Sequence, residues 1–214
     1  MRKNIYTIVV VLAFCFSNAV LAQNNKQAEA IVDKLLTTVK NEAVDADFQL
    51  TIAEKSLPKP QVLKGKFTLK GNKFCMETDG IAVFFNGKTQ WVYMEDNEEV
   101  MLTEPSPSEL GDINPMAILS NFRTGSIIRF AAKAPADGNH HIEMIPTAVN
   151  SDIAKIELAL NKTSENVVYI NQTNKNGSSM KLQLSNFRKG VKVSDRIFVF
   201  DKSKYPNVEI NDLR

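Results

Sequence analysis

The sequence predicts a mainly β (α+β) fold: a single open antiparallel β-barrel, or strongly curved sheet, of about eleven strands, with an N-terminal helix and a short lid helix covering its concave apolar face. Three observations carry this. One early stretch has helical apolar spacing; almost everything after it alternates with a period of two between Asn-Gly and Asp-Gly pairs; and no strand is followed by the long helical segment that a parallel crossover needs.

Before the fold begins, Met1-Arg2-Lys3-Asn4 is followed by an apolar run from Ile5 to Phe16 and by small residues up to Val20-Leu21-Ala22. This is the pattern of a secretory signal peptide, so residues 1–22 are expected to be removed after Ala22, leaving residues 23–214 as one domain. Phe14, not a small residue, precedes Cys15, which argues against lipidation there. Cys75 is then the sole cysteine of the mature chain. An exported domain without a disulfide must be held by its core, and Cys75, between Phe74 and Met76 in a strand-like run, reads as a buried, inert thiol.

The helix comes first. Ala28, Ile31, Val32, Leu35, Leu36 and Val39 fall at i, i+3, i+4, i+7, i+8 and i+11, one stripe of an α-helix. From Ala43 the period becomes two: Phe48, Leu50 and Ile52 alternate with Asp47, Gln49 and Thr51. Strands are then expected from Val62 to Lys70, Lys73 to Thr78, Ile81 to Phe85, Thr89 to Met94 and Glu98 to Thr103. They are separated by Gly71-Asn72, Asp79-Gly80, Asn86-Gly87 and Asp96-Asn97, which suit tight hairpins. This meander stops at Glu104-Pro105-Ser106-Pro107-Ser108, where prolines break the ladder. A short helix follows, with Asn114 as cap, Pro115 at the first position, Met116, Ile118, Leu119 and Phe122 as its oily side, and Gly125 to end it. Strands resume from Ile127 to Ala134, His140 to Ile145, Ile153 to Leu160, Asn166 to Thr173, Ser179 to Phe187 and Arg196 to Phe200. The rival architecture, an outer-membrane barrel, needs strands of roughly ten residues throughout and no helix between them.

Charge and chemistry narrow the function. There are 26 Lys+Arg against 24 Asp+Glu, and the surplus pair, Arg2 and Lys3, leaves with the signal. A neutral body lacks the basic field that nucleic-acid binding requires. The only histidines, His140 and His141, are adjacent, so on a strand they point to opposite faces and cannot form one metal site; a surface strand beside Asp137-Gly138 is expected. No G-x-S-x-G, H-E-x-x-H, C-x-x-C or phosphate-binding loop is present. The expectation is a protein that is not an enzyme, with no catalytic residues, no metal and no cofactor.

What the sequence does supply is grease spread over most elements. Taken singly these residues are core. Taken together, Leu35, Phe48, Leu50, Phe67, Leu69, Phe74, Val83, Phe85, Trp91 and Tyr93 on the helix and sheet, with Met116, Ile118, Leu119 and Phe122 on the short helix, are read as a lined apolar cavity with its plug.

Several segments, in order, resemble the LolA-like periplasmic carriers of outer-membrane lipoproteins. They are the amphipathic first helix; Gly65-Lys66-Phe67-Thr68-Leu69-Lys70-Gly71-Asn72-Lys73-Phe74; Asn86-Gly87-Lys88-Thr89-Gln90-Trp91-Val92-Tyr93, close to the family's D-G-K-x-x-W-x-Y hairpin; Asn114-Pro115-Met116-Ala117-Ile118-Leu119 at the lid-helix position; and Phe198-Val199-Phe200 with Tyr205-Pro206-Asn207-Val208 at the end. The resemblance implies a monomeric periplasmic carrier of acylated lipoprotein or other lipid cargo, loaded by an inner-membrane transporter and unloaded to an outer-membrane acceptor. The alternative on the same scaffold is a lipid- or protein-binding sensor of the cell envelope. Typical members hold the lid closed with an arginine at the basic turn, where this chain has Lys70-Gly71. Lysine lacks the fork geometry of arginine.

Overall fold

The computed structural model describes residues 25–106, 109–110 and 115–214. The signal peptide and the Asn114 cap lie outside the described residues. Helix α1 (residues 25–41) carries the expected stripe: Ala28, Val32, Leu35 and Val39 are buried, with Ile31 and Leu36 half-buried beside them. A meander follows: β1 (Ala43–Ala53), β2 (Gln61–Lys70), β3 (Lys73–Thr78), β4 (Ile81–Phe85), β5 (Gln90–Met94) and β6 (Glu99–Thr103). Helix α2 (Pro115–Arg123) leads into β7 (Ser126–Phe130), β8 (Asn139–Pro146), β9 (Ile153–Asn161), β10 (Val167–Asn174) and β11 (Ser179–Lys189), and the chain ends in β12 (Glu209–Asp212).

These strands form one sheet of 12, in the order β12-β6-β5-β4-β3-β2-β1-β11-β10-β9-β8-β7. The order follows from hairpins: the first meander grows outward from β1 on one side, and β11 returns antiparallel to β1 so that the second grows on the other. β7 and β12 are left as the two free edges, so the sheet is curled and open. Gly71, Gly80, Gly87, Gly138 and Gly177 all take positive φ in the hairpin turns, as the Asn-Gly and Asp-Gly pairs require. At the Asp96-Asn97 turn the left-handed residue is instead Glu98, with φ of 48°.

The two faces of the sheet are covered by different parts of the chain. The inner face packs against both helices in one apolar cluster that runs from Val32 and Leu35 of α1 to Leu119 of α2. The outer face of β3 to β6 is covered by the C-terminal segment, with Phe198 fully buried and Phe200 and Val208 packed beside Cys75, Phe84 and Val100.

Here one expectation is corrected and one unforeseen strand is found. The segment from Arg196 to Phe200 is not a strand: Ser194 accepts a hydrogen bond from Arg196 N and starts a 3-10 turn over Asp195–Phe198. Its phenylalanines are plugs for the outer face, and their spacing mimics alternation. β12, which runs parallel to β6, was invisible in the sequence because all four of its residues are exposed and leave no periodic signal.

Candidate functional site

Helix α2 lies over the inner face, with Leu119 fully buried, Ile118 nearly so and Phe122 half-buried against the same apolar cluster. Pro115 begins the helix and Gly125, at φ of 85°, follows its end, where its carbonyl accepts from both the amide and the hydroxyl of Thr147. Beside α2, a crevice of about 450 Å³ opens between Ile118, Asn121 and Phe122 and the ends of β1, β9, β10 and β11. Its lining is mixed: Ile52, Ile153 and Met180 are apolar, and Glu54, Gln172, Asn174, Ser178 and Ser179 are polar. Such a volume is in the range of small-molecule sites.

Leu35, Phe48, Leu69, Phe74, Val83, Phe85, Ile118 and Leu119 are buried in the inner cluster, and Leu50, Phe67 and Phe122 pack against it. The side chain of Met116 lies outside the described residues. Trp91 and Tyr93 are elsewhere: they face the outer side, where Tyr93 sits 5.9 Å from Phe200 and 4.4 Å from Tyr205, ring centre to ring centre. The cause is the period of two. Val92 between them takes the inward position on β5. Where α2 lies on the inner face, Ile118, Leu119 and Phe122 occupy the apolar surface.

What fastens α2 is an ion-pair cluster that sequence reasoning missed. Arg123, in its last turn, donates from Nε and Nη2 to the Asp33 carboxylate of α1, the second bond 2.9 Å long, and Nη2 lies 3.5 Å from Glu29. The bidentate hydrogen bond holds the Asp33 carboxyl below the usual carboxylate range and raises the arginine. Glu29 and Asp33 stand one turn apart on the polar flank of α1, which was the available signal. Lys70, by contrast, does not reach α2. Lys70 and Lys73 both bind Asp195, at 2.7 Å each, and so pin the C-terminal segment to the β2–β3 turn.

The histidines face opposite sides, as alternation requires, but only His140 is partly open. The ring of His140 lies 5.7 Å from that of Phe130, whereas His141 is buried, with Nε2 2.9 Å from Asp137 and Nδ1 3.2 Å from the Tyr169 hydroxyl. The expected surface strand is therefore corrected: Tyr169 and the Asp137 turn close over one of the two rings. Asp137 is drawn down to about 2 by this hydrogen bond. Among the described residues no group of three or more His, Cys, Asp or Glu is placed to hold a metal. Cys75 is buried, and burial pushes its thiol up to about 12.

Several solved structures align with this chain. An uncharacterized conserved protein from Thermus thermophilus aligns with a TM-score of 0.57 at 10% identity, over 87% of this chain and 99% of its own. A LolA superfamily protein from Nitrosomonas europaea aligns at 0.44 and 14% identity, over 81% of this chain and 97% of its own. The MucA/MucB complex of Pseudomonas aeruginosa aligns at 0.46 and 10% identity, over 81% of this chain and 61% of that one. No curated protein matches the sequence. The model of the outer membrane lipoprotein carrier protein LolA family matches residues 18–177, most of the chain, including α1, α2 and the sheet as far as β10. The chain belongs to that family.

Proposed function

We propose that the protein is a periplasmic carrier, exported by a signal peptide cleaved after Ala22, that shelters the acyl chains of a lipoprotein on its inner face while they cross between membranes. It does so without covalent chemistry. The observation that carries this reading is α2: an apolar helix laid on an apolar face, with a crevice beside it, held by exposed ion pairs. Taking a sixteen-carbon chain out of water is worth roughly 12 kcal/mol at about 0.8 kcal/mol per CH₂. Cargo of that size offsets the loss of Ile118, Leu119 and Phe122 contacts when α2 swings aside, and the returning helix competes with cargo at delivery. An inner-membrane transporter as donor and an outer-membrane acceptor complete the scheme.

The test is Leu119→Glu in the chain spanning residues 23–214, purified from the periplasm and extracted with organic solvent for mass spectrometry. Burying an ionised carboxylate costs several kcal/mol, more than the roughly 1 kcal/mol that surface ion pairs at Arg123 return, so α2 is expelled. The wild type is expected to yield acylated cargo, and the variant, freed of the helix that competes with cargo, to remain a folded monomer that retains more of it. Loading equal to the wild type would remove α2 from the mechanism. A stable protein partner with no extractable lipid would favour an envelope sensor.

A further inference from the structure

The β1–β2 hairpin reaches past its neighbours, and its outer half is paired on one side only. β2 meets β1 along its length, from Gln61 opposite Ile52 to Lys70 opposite Ala43, but β3 covers only Gly65 to Lys70 and turns away after Thr78. Gln61, Val62, Leu63 and Lys64 are all exposed, Val62 by 50% and Leu63 by 44%. This is a four-residue backbone edge inside the sheet, with an apolar side chain on each face and, among the described residues, no strand to occupy it.

Its surroundings carry both signs: Asp47 on β1 and Glu77 on β3 stand opposite Lys66, whereas Lys64 faces Gln49 and adds a positive charge with no carboxylate across from it. Lys64 and Lys66 stand at i and i+2 on the outer face, and neither forms an ion pair among the described residues. Beyond Lys66 a groove of about 470 Å³ continues between β2, β3 and the C-terminal segment, lined in part by Thr68, Glu77, Arg196 and Lys204. Arg196 and Lys204 are likewise without an ion pair among the described residues. Of the carboxylates there, Asp201 is engaged by the amide and hydroxyl of Ser203.

We propose that Gln61–Lys64 is a docking edge for an extended acidic polypeptide segment, which adds a strand to β2 and lays its carboxylates over Lys64 and Lys66. The open ladder selects a polypeptide: its alternating donors and acceptors are met by another backbone, whereas a phosphate headgroup would satisfy the lysines and leave the ladder empty. The lysines select the sign. A lysine-bearing edge repels a second copy of itself, the usual defence of an exposed strand, and the same charges admit an acidic strand.

The test uses residues 23–214 and two fluorescein-labelled, end-blocked octapeptides, one alternating glutamate with valine and one alternating lysine with valine. Fluorescence anisotropy is expected to show the acidic peptide binding at least tenfold more tightly, less so as salt is raised. Amide exchange should slow at residues 61–64. The double variant Lys64→Glu, Lys66→Glu should reverse the preference, a gain that an unfolded variant could not show. Absence of binding, equal binding of the two peptides, protection confined to other strands, or capture of phosphatidylglycerol vesicles through these lysines with the peptide left free would each overturn the proposal. Lipid loading of the inner face is not required by any of these readouts.

Discussion

Of the described glycines, Gly65 has the least room for a side chain. A Cβ built there would sit 2.0 Å from the Glu77 carbonyl oxygen and 3.0 Å from the Phe48 ring, which lies over the glycine from the paired position on β1. The backbone of β3 approaches β2 closely because no side chain intervenes, and the aromatic ring fills the space a side chain would have taken. Gly65→Ala must push two strands apart, and a loss of about 2–3 kcal/mol in a denaturant melt is expected; a change within about 0.5 kcal/mol, the range of an ordinary surface substitution, would show that the strands separate freely. At this scale the sequence was partly legible. Phe74 on β3 and Val83 and Phe85 on β4 share the inner side, Phe85 standing opposite Phe74 across the strand pair. Trp91 and Tyr93 were read into the cavity on aromatic character, although alternation gives the inward position to Val92 between them. His141 escaped for a different reason: its burial comes from Tyr169, 28 residues away, and no local pattern records that.

At the scale of elements, the two fasteners that matter are both ionic and join segments far apart in sequence. Arg123 ties α2 to α1. The pair is bidentate but partly exposed, so it is worth about 1 kcal/mol or less, and Arg123→Ala is expected to raise amide exchange in α2 by up to about fivefold without changing the melting of the sheet. Exchange in α2 that stays at the wild-type rate would mean the apolar contacts alone set its opening. Asp195, held by Lys70 and Lys73, ties the C-terminal segment to the β2–β3 turn and is drawn from the ordinary 3.8 to about 2. Its folded-state pKa is depressed, so the contribution is complete above about pH 4 and is lost as pH falls through about 2. Trp91 lies under this segment and is the only tryptophan in the chain. Its emission is expected to shift slightly to the red between about pH 4 and pH 2, and Asp195→Ala to remove that shift from this range. The basic turn was visible in the sequence, yet its partner was not, because an ion pair spanning more than a hundred residues leaves no spacing to read.

Over the whole molecule, the sheet separates two jobs. Hairpin glycines, one amphipathic helix and a proline-started second helix were enough to read the open curled sheet and its helix-covered face, since each is a local signal. The layer on the outer face was not legible, because Phe198 and Phe200 are anchors in irregular backbone and β12 buries nothing. That layer gives the molecule a second, independent core, and Cys75 reports on it. The thiol is buried under the C-terminal segment and raised to about 12, so labelling by a thiol-disulfide reagent at about pH 8 waits for that segment to leave. If lipid enters on the inner face, opening α2 must leave the outer face closed. Arg123→Ala is therefore expected to accelerate exchange in α2 while Cys75 labels at the wild-type rate, and Asp195→Ala to accelerate Cys75 labelling while α2 exchanges normally. Acceleration of both readouts by either substitution would mean that the sheet flexes as one body. Loading would then also disturb the C-terminal segment and the groove beside it, and the protein would signal its filled state on its far side.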